Sequence, residues 1–127
     1  KKYAKINPIT VESNMTLQDL VDNYFYKHFH KLYPVMNEKK FVGSISFFEI
    51  KEIPNEMWSS TKIDQIMKKS PSEIEVDAKT SVLAVMQIMN AQQISRLIVL
   101  ENGSLYGIIT LKDLMDVFSM RKELERK

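Results

Sequence analysis

The stretch Leu97–Leu114 has the sequence LIVLENGSLYGIITLKDL, and Tyr33–Ile50, with YPVMNEKKFVGSISFFEI, can be laid on it without a gap. Each copy has a short apolar strand, a polar turn and a second apolar strand that contains one glycine. A hydroxyl residue then opens a predicted helix, and an acidic residue follows three positions later. A chain that repeats a supersecondary unit is predicted to fold as two pseudo-symmetric halves with two equivalent sites.

Outward from these stretches, each copy is predicted to follow the order strand, helix, strand, strand, helix. The first copy is predicted as strand Ile9–Val11, a helix opened by Thr16, strands Tyr33–Met36 and Phe41–Ile45, and a helix that begins at Ser46 and is ended by Pro54. The second copy is predicted as strand Ile74–Val76, a helix opened by Ser81, strands Leu97–Leu100 and Leu105–Ile109 joined at the turn Asn102-Gly103, and a helix from Leu111 to about Met120.

The predicted fold class is α+β, with two tandem βαββα modules packed sheet to sheet about a pseudo-twofold axis. The predicted domains are a first repeat at 1–54, a connector at 55–60, a second repeat at 61–120 and a charged tail at 121–127 that forms a solvated helical face. Thr61 to Asp64 resembles a capping box that opens a one-turn helix ending at Met67. The first copy lacks this opening helix, which in register would precede Lys1, so we expect that the chain was cut from a longer polypeptide.

Composition excludes several classes of function. The 127 residues include no cysteine, so there is no disulfide framework or thiolate site. The formal net charge of +2 gives no argument for nucleic acid or an acidic membrane surface, and we expect no direct membrane insertion. No apolar run reaches the roughly 18 residues of a membrane span, and Lys1-Lys2-Tyr3 is not a signal peptide. With three glycines and no nucleophile elbow, the chain has neither a phosphate loop nor a catalytic motif, and we predict no catalytic residue.

The repeated pattern resembles the CBS (cystathionine β-synthase) domain, occurring here as a tandem pair. The residues that carry the resemblance are Gly107–Asp113, preceded by Ile94–Leu100, and Gly43–Glu49, preceded by Tyr33–Val35. The resemblance implies a regulatory module that binds AMP, ADP or ATP between its two copies, requires no cofactor, and controls an attached enzyme, channel or transporter. It also implies a homodimer that pairs through helices, for which the predicted apolar faces include Leu111, Leu114, Met115 and Phe118.

A narrower resemblance is visible in the first copy. Leu20–Val35, followed by Ile53–Trp58, is similar to the CBS pair attached to site-2-type intramembrane zinc metalloproteases. This chain has no His-Glu-x-x-His motif. The resemblance therefore implies a parent protein whose catalytic part lies in the membrane, with this chain as its cytoplasmic, soluble regulatory domain.

The second copy contains the better candidate nucleotide site. Thr110 stands where a strand becomes a helix, a position whose free amides and helix dipole favour phosphate. Asp113, one turn further, offers two acceptors for the ribose hydroxyls, and Arg96 is either a phosphate clamp or a solvated residue at the end of a strand. The residues expected to give the base apolar walls and backbone amides are Ile74, Val76 and Ile98.

The first copy offers a second, weaker site with an equally direct structural explanation. Its candidate residues are Ile9, Val11, Tyr33, Pro34, Ser46 and Glu49. Ser46 and Glu49 also form a capping-box sequence, in which glutamate is the acid that reaches back to the helix start. Aspartate is shorter and serves a capping box less well, so this alternative is weaker at Thr110 and Asp113.

Three further features leave alternatives open. His28 and His30 are close enough to suggest a metal ligand pair, but two histidines at this spacing share a face only on a strand, and a polar helix exit is the simpler interpretation. Met57-Trp58 is either an exposed anchor for a partner or a packed part of the connector. The whole chain, finally, is either a nucleotide sensor or a ligand-free module that dimerises or docks its parent protein.

Overall fold

A computed structural model describes residues 4–125, so the predictions for Lys1–Tyr3 and for the last two residues of the tail lie outside the described residues. The chain divides into two compact units. The N-terminal unit is Ile9–Ser72, and the C-terminal unit combines Glu73–Lys127 with Lys1–Pro8. Each unit contains one of the two repeated stretches.

The described elements follow in chain order. They are β1 (Lys5–Ile6), β2 (Val11–Glu12), α1 (Leu17–Leu20), a π-helical turn (Val21–Phe25), α2 (Tyr26–His28), β3 (Leu32–Asn37), β4 (Lys40–Ser46), α3 (Phe47–Lys51), a 3-10 turn (Asn55–Met57), α4 (Ile63–Ile66), β5 (Lys68–Lys69), β6 (Glu75–Asp77), α5 (Val82–Gln92), β7 (Arg96–Glu101), β8 (Ser104–Thr110) and α6 (Leu111–Glu125).

The N-terminal unit has a four-stranded sheet in the order β2-β3-β4-β5. Strand β2 is parallel to β3, and the other pairs are antiparallel. The helix opened by Thr16, whose side chain accepts from the Asp19 amide, buries Leu17 and Leu20 in the core of this unit. The remaining fully enclosed members of this core are Val11, Tyr33, Val35, Ile45 and Ile63.

The C-terminal unit has its own four-stranded sheet in the order β1-β8-β7-β6. Strand β6 is parallel to β7, whereas β7 with β8 and β1 with β8 are antiparallel. Helix α5 is capped by Ser81, whose hydroxyl accepts from the Ala84 amide at 3.1 Å. It buries Val85 and Met89, and α6 buries Leu114. Both repeated stretches therefore form a hairpin followed by a helix, and the α+β class is confirmed.

Two irregularities occur at equivalent positions of the two copies. The hairpin register shifts between Val35 and Met36 in the first copy and between Val99 and Leu100 in the second. Each hairpin also turns on two residues with positive φ: Glu38 and Lys39 in the first copy, Asn102 and Gly103 in the second. Both turns have the left-handed geometry that suits a two-residue hairpin, although only the second has the residues that favour it.

The short helix α4 was predicted to open the second copy, but it lies in the N-terminal unit, together with strand β5, which was not predicted. Ile63 is completely buried among that unit's core residues, and its amide donates to the Met15 carbonyl at 2.9 Å. Strand β5 then pairs with β4. Because a Cβ atom at Gly43 would collide with the Lys68 carbonyl, the motif glycine is needed for this close approach. Strand β1 correspondingly pairs in the C-terminal unit, with β8.

Two helix ends also differ from the sequence predictions. The predicted capping box of Thr61 and Asp64 is wrong, because the Gln65 carboxamide accepts from the Lys62 amide at 2.6 Å while the Thr61 hydroxyl donates to the Met57 carbonyl at 2.8 Å. The final helix was predicted to end near Met120, but α6 continues to Glu125. Its last turns are exposed, as a solvated helical face requires.

Candidate nucleotide site

The start of α6 brings the polar site residues of the second copy together. Arg96 and Thr110 are direct partners in the β7–β8 ladder, so their side chains lie on the same face of the sheet. The Leu111 amide donates to the Ser95 carbonyl at 2.8 Å, which ties the beginning of the helix to the beginning of β7. Arg96 is a partly buried residue, and its guanidinium donates to the Ser95 hydroxyl at 3.4 Å. A cation, a hydroxyl and a helix N-terminus therefore meet at one end of this sheet.

Asp113 is held at this place by its backbone and leaves a side-chain oxygen unused. Its amide donates to the Thr110 hydroxyl at 3.1 Å, so Thr110 caps the helix. Its Oδ2 atom is buried and has no hydrogen-bond partner within residues 4–125. A buried carboxylate oxygen without a donor is costly, and such atoms are uncommon in folded proteins. The arrangement is suited to a ligand that supplies hydroxyl donors.

The apolar residues of the predicted site do not all lie together. Ile98 shares a face with Arg96 and Thr110, because side chains alternate along β7. The Ile98 amide donates to the Ile74 carbonyl at 2.8 Å, so this amide is already satisfied, while the role of the Ile98 side chain as an apolar wall stays a prediction. Val76 instead lines a cavity of about 20 Å³ with Val85, Val99 and Ile109 on the α5 side of the sheet.

In the first copy, the acid serves the helix cap. The Glu49 carboxylate accepts from the Ser46 amide at 2.6 Å, and the Ser46 hydroxyl accepts from the Phe48 amide at 3.2 Å. Both halves of a capping box are thus present, as the alternative interpretation predicted. At the position equivalent to Arg96, the first copy has Leu32, which is buried. This copy therefore lacks both the cation and the free carboxylate of the second.

The other first-copy candidates are divided between core and surface. Val11 and Tyr33 belong to the core of the N-terminal unit, whereas Ile9 is exposed and Pro34 is buried opposite Ser44 in the β3–β4 ladder. The Tyr33 hydroxyl donates to the Tyr24 carbonyl at 2.9 Å. Burial is the main cause that raises the pKa of Tyr33, so the phenol stays a neutral donor.

Ser44 is a polar residue that sequence reasoning missed. It is 1% exposed, and its hydroxyl has no hydrogen-bond partner in the described part of the chain. The second copy has Ile108 at the equivalent position. A single serine inside an apolar strand was the available signal, since a buried hydroxyl without a partner is unfavourable.

The histidines and the connector have structural explanations. The rings of His28 and His30 stack with centroids 6.2 Å apart, and residues 4–125 contain no group of three or more side chains that could hold a metal. Trp58 packs against the core of the N-terminal unit and donates its indole N–H to the Ile53 carbonyl at 3.1 Å. Met57 beside it is exposed. Within residues 4–125, no helix combines the length and apolar composition needed to cross a membrane.

The two units thus repeat one α+β arrangement, in which the second strand of a hairpin leads into a helix. The family model described as CBS domain matches residues 1–55 and 63–119. The chain belongs to the CBS domain family and contains a tandem pair of these domains.

Two curated relatives are much longer than the matched chain. Inosine-5'-monophosphate dehydrogenase of Bifidobacterium longum is 31% identical over 112 residues, covering 84% of this chain and 20% of the relative. A protein named as a zinc metalloprotease from Synechocystis is 25% identical over 73 residues, covering 57% of this chain and 19% of the relative. The chain thus matches about a fifth of each.

Solved structures agree on the fold. CBSX2 in complex with AMP superposes with a TM-score of 0.79 at 18% identity, covering 95% of this chain and 96% of that one. The CBS pair of MJ0100, in complex with 5-methylthioadenosine and S-adenosyl-L-methionine, has a TM-score of 0.75 at 24% identity with 95% of both chains covered. The CBS domain of a bacterial CNNM/CorC family Mg²⁺ transporter in complex with ATP has a TM-score of 0.75 at 17% identity, covering 91% and 82%.

Proposed function

We propose that this chain is a regulatory module that binds an adenine nucleotide, AMP, ADP or ATP, at the C-terminal unit. The observation that carries the proposal is the Asp113 Oδ2 atom, which is buried without a donor one turn into α6. Structural relatives in complex with AMP, ATP and S-adenosyl-L-methionine support an adenosine ligand. A ribose can satisfy this oxygen through its hydroxyl groups.

The residues around Asp113 suit the rest of such a ligand. Arg96 offers a planar pair of donors to phosphate, and the start of α6 adds the positive end of a helix dipole. Ile98 is an apolar wall on the same face of the sheet. In the N-terminal unit, Glu49 is committed to its cap and Leu32 replaces the cation. We therefore expect the C-terminal unit to contribute the stronger site.

A nucleotide should stabilise the folded chain. The proposed site draws on Arg96 and on the start of α6, which an unfolded chain does not hold together, so the ligand binds only the native state. At a hundredfold excess over the dissociation constant, the free energy of unfolding should rise by about 2.7 kcal/mol. We expect AMP, ADP or ATP to raise the melting temperature by several degrees, measured by differential scanning fluorimetry.

The matched control is CMP, which keeps the ribose and phosphate of AMP but not the adenine. S-adenosyl-L-methionine extends the series to an adenosine without phosphate. If no adenosine compound changes the melting temperature at millimolar concentration, the sensor proposal fails, and the ligand-free docking module becomes the better account.

Self-association is the second proposal, and it is supported by the exposed face of α6. Met115 is 54% exposed and Phe118, three residues later on the same side of the helix, is 44% exposed. Leu114, which the sequence also suggested for this face, is completely buried in the C-terminal unit and cannot contribute. Large apolar side chains that project together from a surface helix favour association with a second copy.

Light scattering should accordingly give twice the mass of a single chain at high micromolar concentration. Phe118→Ser should shift the mass toward that of the monomer, because it removes the largest apolar side chain of this face. Leu83→Ser, which removes an apolar side chain that is more exposed than Phe118 from α5, is the control. A wild-type mass of one chain would contradict the dimer without affecting the nucleotide proposal.

The parent protein is a further part of the proposal. We infer a membrane-bound zinc metalloprotease with this chain as its cytoplasmic regulatory domain. The similarity to the Synechocystis protein and the segments Leu20–Val35 and Ile53–Trp58 support it. The 31% identical dehydrogenase is the competing kind of parent. The full reading frame distinguishes them: a His-Glu-x-x-His motif within apolar segments supports the protease, and a dehydrogenase domain contradicts it.

A further inference from the structure

The N-terminal unit exposes a group of aromatic side chains on two neighbouring segments. Phe29 is 77% exposed, Tyr26 is 68% exposed and Phe48 is 67% exposed, and Phe47 between them is partly covered. Exposed apolar residues are ordinary when they are scattered, but a cluster of large rings marks an interaction surface. None of these residues belongs to the proposed nucleotide site.

Direct contacts hold the two segments side by side. The Phe47 amide donates to the Lys31 carbonyl at 2.9 Å, which fixes the start of α3 against the loop that follows α2. The rings of Phe25 and Phe47 have centroids 6.4 Å apart, and those of Phe47 and Phe48 are 6.0 Å apart. Phe29 has a left-handed backbone, with φ of 60°, at the end of α2. The start of α3, with Phe47 and Phe48, is therefore held beside the segment that follows α2, near the exposed Phe29.

Two lysine side chains lie over the Phe47 ring. The ammonium groups of Lys31 and Lys51 lie 5.8 Å and 5.6 Å from the centre of the Phe47 ring. Both distances are within the range of a cation–π contact. Three acidic residues belong to these segments. The Glu49 carboxylate accepts from the Ser46 amide, and the Asp22 carboxylate accepts from the Gln18 carboxamide at 3.1 Å. Glu52 is the next residue in sequence after Lys51. The aromatic–lysine patch, defined here as Tyr26, Phe29, Lys31, Phe47, Phe48 and Lys51, thus combines apolar rings with cations.

We propose that the aromatic–lysine patch docks on the surface of an anionic lipid bilayer. The boundary between headgroups and acyl chains offers an apolar layer for Phe29 and Phe48 and phosphates for Lys31 and Lys51. A twofold contact pairs a residue of one copy with a different residue of the other, so a second copy of the chain is the competing occupant, and the oligomeric mass of the patch variants tests it. An acidic peptide would match the lysines but leave the protruding rings without an apolar environment. The contact is peripheral and requires no membrane-spanning segment.

Vesicle co-sedimentation tests the proposal. The chain should bind vesicles of phosphatidylglycerol mixed with phosphatidylcholine more strongly than vesicles of phosphatidylcholine alone, and added salt should weaken this binding. Replacing Lys31 and Lys51 with glutamine should lower the partition coefficient by about 25-fold, since each lysine contributes about fivefold near an anionic surface. Replacing Phe29 and Phe48 with serine should lower it by about tenfold or more.

Matched controls make the result specific to the patch. Lys79→Gln with Lys122→Gln removes the same charge from exposed positions of the C-terminal unit, and Leu83→Ser with Met120→Ser removes comparable exposed apolar surface there. The proposal would be overturned if the patch and control variants lost vesicle binding equally, or if the wild type bound equally to both kinds of vesicle. A patch variant that changes the oligomeric mass would assign the surface to a second copy. Capture of the wild type by polyglutamate, lost in the phenylalanine variant, would assign it to an acidic protein.

Discussion

Asp113→Ala is expected to weaken adenine-nucleotide binding by about 10-fold to 100-fold, because hydrogen bonds to a charged acceptor contribute roughly 1.5–3 kcal/mol. The substitution removes the carboxylate assigned to the ribose but keeps the backbone amide that Thr110 caps. It also removes a buried oxygen that has no partner in residues 4–125, so the unliganded protein should lose little stability. Calorimetry with nucleotide and thermal melting without it measure the two effects.

Glu49→Ala is the matched variant in the first copy. Its carboxylate already accepts from the Ser46 amide, so its removal should lower the free energy of unfolding by roughly 0.5–2 kcal/mol and leave most nucleotide affinity intact. The two variants should therefore show opposite profiles, one losing binding and the other losing stability. Loss of binding in Glu49→Ala with retention in Asp113→Ala would reverse the site assignment.

Ile63→Ala should be among the most destabilising single substitutions outside the site. Ile63 is completely buried and belongs to α4, a helix of only four residues that packs into the core of the N-terminal unit. Truncation of such a side chain typically costs about 2–5 kcal/mol, since the cavity closes only in part. The loss of protection from hydrogen exchange should be largest in β3 and β4.

The control for this variant is Leu97→Ala, which truncates a completely buried side chain in β7 of the C-terminal unit. Its loss of protection should be largest in β7 and β8. If Ile63→Ala instead exposes mainly the amides of β7 and β8, then α4 belongs with the second copy, and the division of the chain described above is incorrect.

Sequence reasoning identified the repeat and its hairpins because their signals are local. The apolar strands, the turn at Asn102-Gly103 and the hydroxyl residues Ser46 and Ser81 at helix starts each constrain a few neighbouring residues, and the structure contains all of them. The same kind of local signal distinguished the predicted role of Glu49 in a helix cap from the predicted role of Asp113 in a nucleotide site. Glutamate is long enough to reach the Ser46 amide, and it does so.

Features that depend on distant pairing were missed. Strands β1 and β5 have two residues each, too few to show a periodic pattern, and both are defined by the sheet they join. Ile63 was recognisably apolar, but its sequence does not say which core buries it. Leu114 and Met115 are neighbours on a helix whose periodicity did not distinguish the buried residue from the exposed one. The free oxygen of Asp113 also depends on the fold around it.

The central claim is that the C-terminal unit binds an adenine nucleotide through Asp113. Its most direct test is isothermal titration calorimetry of AMP, ADP and ATP into the wild-type chain and into Asp113→Ala, at one salt concentration. We predict saturable binding of at least one nucleotide to the wild type and about 10-fold to 100-fold weaker binding to the variant. Absence of binding to the wild type at millimolar nucleotide, or equal affinity in the two proteins, would contradict the claim.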